Sequence, residues 1–287
     1  MIKTILASLN GFGSDRNILD AAVAIAKADG AHIDCIHTRI DTAEMVAWVD
    51  RRTVGYDAGL QKLAKEIVQK EIARAEYAQA EFQDACRRHS LTISMDPGTA
   101  VGISIAWKEL KGSPNETVVQ AWYHDLIVMA RTAELSGAWI QNVLMKAGRP
   151  VLLTPEKPVE TIGRRVAIAW KPGPEAARAM TAASSILSSA DRIILLVTSE
   201  DDAHHDAIND AAEYLAQQLQ WHGIQAEVKT AAASWSISET IKTMAYNCGA
   251  DLLVMGAYGH SRMREFVSGG VTHDVLADCA IPVFMFH

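Results

Sequence analysis

The chain repeats itself. "TILASLNGFGSDRNILDAAVAIAKADG" (4–30) and "RVAIAWKPGPEAARAMTAASSILSSAD" (165–191) each read as a short apolar strand, a glycine-containing turn and an alanine-rich helix. "DLIVMA" (125–130) matches "DLLVMG" (251–256), and "AGRPVLLTP" (147–155) matches "CAIPVFMFH" (279–287). Matches in the same order in both halves mark a tandem duplication, which narrows the fold to one that each half can form. The join lies near "TPEKPVETIGRR" (154–165), rich in proline and charge and without periodicity. Two domains are expected, 1–155 and 162–287.

Within each copy the elements alternate. In the second, strands are predicted at 165–170, 192–199, 224–229, 251–256 and 282–287, and helices at 175–190, 206–221, 236–248 and 270–278. The strands are continuous Val/Ile/Leu runs, each followed by a helical pattern, which is the signature of a parallel sheet covered on both faces. The expected fold class is α/β, two tandem doubly wound domains, each with a five-stranded parallel sheet flanked by helices in the Rossmann-like manner. The first copy adds a longer helical segment over 57–89, amphipathic and laced with i,i+4 charge pairs.

At 287 residues with 49% hydrophobic and 21% charged content, the chain has the makings of sizeable cores. The net charge of −7 opposes nucleic acid or an acidic lipid surface as a partner. Cys35, Cys86, Cys248 and Cys279 are scattered, with no CxxC and no metal-finger spacing, so they read as reduced, mostly buried thiols. "MIKTILASLNGFGSD" lacks the features of a secretory signal, and no apolar run approaches the length of a membrane span. The expected location is the cytoplasm. Trp107, Trp122, Trp139, Trp170, Trp221 and Trp235 are spread along the chain and are expected to anchor cores or interfaces rather than to stack bases.

The functional signal is "DLLVMGAYGHSRMREFVSGGVTHDVL" (251–276). A strand ends at Gly256, a basic loop carries Gly259, His260, Arg262 and Arg264, and Gly269-Gly270 opens a helix. In an open parallel sheet, ligands sit outside the carboxyl ends of the strands. Glycine there lets backbone approach a ligand closely, and a helix start presents free N–H groups to an anion such as phosphate. Thr272 adds a hydroxyl and the arginines add charge. The spacing G-x2-G-x9-G is neither a Walker loop nor GxGxxG.

"GAYGHSRMREFVSGGVT" resembles the nucleotide-loop signature of the universal stress protein family, and "VAIAWKPGPEAARAM", "ILASLNGFGSDRNILDAA" and "IPVFMF" resemble its first strand and turn and its last strand. That resemblance implies a five-stranded doubly wound sheet, an adenine nucleotide (ATP or AMP, with or without Mg) as ligand, and pairing of the two halves within the chain in place of a dimer, with a further homodimer compatible. Carried over by residue, the phosphates would meet Gly256, Gly259, Gly269, Gly270, Val271 and Thr272, with Met255, His260 and Arg262 beside them. Trp170, Lys171 and Val197 would line the adenine and ribose. This sequence departs from the family in having Lys171 and Asn10 where the family has Asp at the end of strand one. An Asp there accepts bonds from the nucleotide, whereas a Lys cannot accept any. The first copy departs further. Ala130 stands at the place of Gly256, Gly137 at Gly269, Ala138 at Gly270 and Ile140 at Thr272, with about six loop residues missing.

No catalytic or metal residues are expected. Ser261, His260 and Asp274 lack a GxSxG elbow. His204, His205, Asp201, Asp202 and Asp206 read as a solvated loop before a helix, with Asp202 or a neighbour as its cap. "WKPGPE" and "NGFGSD" do not match the SGGxDS-like loop of the related adenylate-forming enzymes. Two functions stand against each other: a nucleotide-binding sensor or regulatory module with at most slow hydrolysis, and a stress-response scaffold that works through protein partners without nucleotide.

Overall fold

A computed structural model describes residues 1–40, 58–97, 102–113, 115–132, 137–199, 205–232, 236–259 and 270–287. The first half runs β1 (Thr4–Leu9), α1 (Asp15–Asp29), β2 (His32–Ile40), α2 (Ala58–His89), β3 (Thr92–Ile93), β4 (Ser104–Gly112), α3 (Asn115–Ala121), β5 (Leu126–Ala130), α4 (Gly137–Lys146) and β6 (Val151–Thr154). The second runs β7 (Arg165–Ala169), α5 (Pro174–Ala182), α6 (Ser184–Ser189), β8 (Arg192–Ser199), α7 (His205–Gln220), β9 (Ala226–Ala232), α8 (Ile237–Asn247), β10 (Leu252–Gly256), α9 (Val271–Ala277) and β11 (Val283–Phe286).

All these strands join one eleven-stranded sheet in the order β3-β4-β2-β1-β5-β6-β11-β10-β7-β8-β9. Within each half the strands are parallel, and the halves meet where β6 and β11 run antiparallel, with Phe284 opposite Leu152. Both halves share one doubly wound order, β4-β2-β1-β5-β6 in the first and β9-β8-β7-β10-β11 in the second. Continuous apolar strands demand cover on both faces. One face carries a cluster in which Ile5, Ile18 and Leu152 join Ile168, Leu187 and Phe284, and the other gathers Leu6, Ile127 and Val143 with Leu253, Val275 and Met285.

The structure differs from expectation in three places. The first half has a sixth strand, the two-residue β3 pairing with β4. The helix predicted over 175–190 is two, α5 and α6, parted at Ala183, whose φ of −83° and ψ of 2° leave the helical region. Trp122 and Trp221 are exposed, at 53% and 86%, so neither is a core anchor. Trp107 does anchor, packing against Phe82 with centroids 5.6 Å apart; Trp235 lies outside the described residues.

Two aspartates show the duplication in three dimensions. Asp125, before β5, accepts from the backbone N–H groups of Lys3 and Thr4 at the start of β1 (2.8 and 3.0 Å). Asp251, before β10, accepts from those of Arg164 and Arg165 at the start of β7 (3.2 and 2.9 Å).

Candidate functional site

Strand order reverses between β7 and β10: β7 leads on to β8 and β9 on one side, β10 to β11 on the other. The crevice above their carboxyl ends is the switch point of this half. Trp170 and Lys171 follow β7, and the Trp170 N–H donates to Leu196 O (2.9 Å), which brings Trp170 beside Val197. The Trp170 indole Nε1 is buried without a partner among the described residues, and Lys171 is exposed. Val197 and Met255 are 2% and 5% exposed and pack in the core.

Across the crevice, Gly256 ends β10 in register with Phe286. A Cβ at Gly256 would stand 2.6 Å from Ala176 N and 2.9 Å from Glu175 Cβ, so the β10 end lies directly on the first turn of α5. The chain then turns through Tyr258, a non-glycine residue at φ +52°. The Tyr258 N–H donates to the hydroxyl of Thr272 (3.2 Å), which is 5% exposed in the first turn of α9. Ser238, on α8, donates to Asp274 at 2.8 Å and steadies the same turn. Gly256, Gly259, Gly270, Val271 and Thr272 are thus gathered at one edge, whereas His260, Arg262, Arg264, Ser261 and Gly269 lie outside the described residues. So do His204, Asp201 and Asp202.

Glu175 is the residue that reading the sequence missed. It sits in the first turn of α5, is 9% exposed, and has no hydrogen bond or ion pair among the described residues. Its Oε2 lies 3.6 Å from the Cβ position of Gly173 and 3.8 Å from that of Gly259. The signal was a glutamate one residue into the helix after strand one.

In the first half the same place is closed by the chain itself. The Asp15 carboxylate, fully buried, accepts from the N–H groups of Asn10 and Gly11 at 2.7 Å each. Burial outweighs those two bonds and pushes its pKa up to about 6. Arg74 of α2 donates to Asn10 O (2.9 and 2.7 Å) and to Glu71 (2.7 Å), and lies 4.8 Å from the Phe12 ring centroid. Gly11, at φ +75°, would put a Cβ 2.4 Å from Arg74 O, so no other residue fits beneath this helix. At the end of β5, Ala130 is followed by Arg131, which reaches into the other half and donates to Val275 O (3.0 Å) and Cys279 O at the carboxyl end of α9. A cavity of about 910 Å³ follows this joint between α4 and α9, with Arg131 and Gly137 on one wall and Tyr258 and His273 on the other.

A further polar cluster lies elsewhere in the first half. Asp34 on β2 meets Lys108 (3.1 Å), His124 (3.0 Å) and His32 (3.5 Å). Burial opposes its charge, but these partners prevail and hold the carboxyl well below the usual carboxylate range. Among the described residues no group of three or more His, Cys, Asp or Glu could hold a metal, and no helix is long and apolar enough to cross a membrane.

The geometry defines a doubly wound α/β protein with a crevice at the switch point of its second half. Residues 174–287, at the C-terminus, match the model of the universal stress protein family. The chain is 28% identical over 172 residues to a universal stress protein of Synechocystis sp., a match that covers 56% of this chain and spans 58% of that curated relative's length. A universal stress protein from Archaeoglobus fulgidus superposes with a TM-score of 0.67 at 15% identity, over 99% of this chain and 97% of its own. A functionally unknown protein from Pseudomonas aeruginosa superposes at 0.58 and 15%, over 99% and 92%. At such identities the structural likeness is one of fold.

Proposed function

We propose that residues 162–287 bind an adenine nucleotide, ATP or AMP, in the crevice above β7 and β10, and that the chain serves as a cytoplasmic sensor or regulatory module of the stress response with at most slow hydrolysis. Residues 1–155 form the partner half, which pairs within the chain and holds no nucleotide. The observation that carries this reading is the turn at Gly256. Its backbone rests on α5 with no room for a side chain, and the turn beyond it is tied to Thr272 at the start of α9. Phosphate would lie along that edge, with Trp170 and Lys171 toward the base and ribose.

Calorimetric titration with ATP, ADP and AMP, with and without magnesium, tests it. Micromolar binding, about −8 kcal/mol, is expected for the native chain, with loss in Gly259→Asp, which sets a second carboxylate beside Glu175. Absence of binding by a preparation shown by denaturation and chromatography to carry no nucleotide would defeat the proposal. The exposed Lys171, which cannot accept a bond, and the self-closed mouth of the first half favour a second reading, a scaffold acting through protein partners.

A further inference from the structure

Three glycines converge on one acid. Gly173, Gly256 and Gly259 leave their side-chain space to Glu175, a residue 9% exposed whose carboxylate meets no cation or donor among the described residues. Its placement in the first turn of α5 gives it the positive end of a helix, which accounts for its tolerance but leaves the oxygens without a partner among the described residues. Its Oε2 lies against Gly259, at the edge where a polyphosphate would run. A bare polyphosphate beside a carboxylate that no described cation balances is repelled. A divalent cation shared between them turns the same contact into an attraction. Magnesium takes one or two carboxylates, substrate phosphates and waters in this way, so a single protein oxygen ligand suffices. The hard oxygens of Glu175 fit that ion.

We infer that Glu175 is the protein's ligand for a divalent cation carried on the phosphates, so that this crevice accepts ATP as its metal complex and discriminates against the free nucleotide. The inference rests on the nucleotide-binding reading above and assigns a residue and an ionic form to it. It also places an acidic acceptor in the crevice from α5, four residues beyond Lys171, which cannot supply one.

The test measures ATP affinity with excess Mg2+ and with EDTA, for the native chain and for Glu175→Gln, whose thermal unfolding is checked against the native chain. The native chain is expected to bind the magnesium complex at least tenfold more tightly than free ATP. In Glu175→Gln the free nucleotide gains affinity and the difference falls below about threefold. Water-proton relaxation with Mn2+ gives an independent readout. Enhancement should need ATP and the native chain together and should fall in the variant. Equal binding with and without metal by the native chain would overturn the inference while leaving nucleotide binding intact. So would a metal dependence that Glu175→Gln keeps in full. Absence of binding by both chains, with and without metal, would sink the nucleotide reading and this inference together.

Discussion

Asp15 shows what closing a site costs at the scale of one residue. Its carboxyl would ionise near 3.8 in the unfolded chain and does so at about 6 in the folded one. The native state therefore holds the proton more tightly, so stability is fullest below pH 4 and declines as pH rises through 6. The decline is on the order of 3 kcal/mol. Urea denaturation of the native chain between pH 4 and 7, set against Asp15→Asn, should show that slope in the first and a flatter one in the second. Asp34 has the opposite sign. Its depressed pKa adds stability above the unfolded value, lost as pH falls below about 4, and Asp34→Asn should remove that acid-side loss. Gly256→Ala should cost about 1–3 kcal/mol, because the new methyl meets the α5 backbone rather than a movable side chain. Thermal unfolding of that variant checks it. Glycine spacing pointed to Gly256 and Gly259 in the sequence. Glu175 was not legible, because an acid in a first helical turn is ordinary until a strand end is laid on it.

Among the elements, the apolar runs and alanine-rich helices were legible because their periods are local properties. The role of α2 was not. Its charge pattern reads as a solvated amphipathic helix, yet Glu71 is buried and Arg74 lies across the β1 turn, contacts set by residues 64 positions apart. Arg131 was equally hidden, since its partners are backbone carbonyls that no side-chain pattern announces. It joins the end of β5 to the carboxyl end of α9, where a cation complements the helix dipole. Arg131→Met should keep the aliphatic packing and lose about 1–3 kcal/mol, with faster hydrogen exchange concentrated in 271–279. Uniform acceleration over the whole chain would count against a local clamp.

For the whole molecule, the repeat was legible in the residues, whereas the pairing of the halves came from the resemblance alone, because two similar halves can be arranged in many ways and only the register of β6 on β11 chooses one. Phe284 is fully buried within a cluster drawn from both halves. Phe284→Ala should cost about 3–5 kcal/mol. Unfolding should stay a single transition by both tryptophan fluorescence and circular dichroism, since neither half can lose this core alone. Two separated transitions would show the halves to be independent. The antiparallel seam has one more consequence. Because the strands of the two halves run in opposite senses, the carboxyl edges of the two halves look in opposite directions. A protein docked over the edge that Arg74 covers would stand on the far side of the sheet from a nucleotide above β10, and the chain could hold both at once without competition.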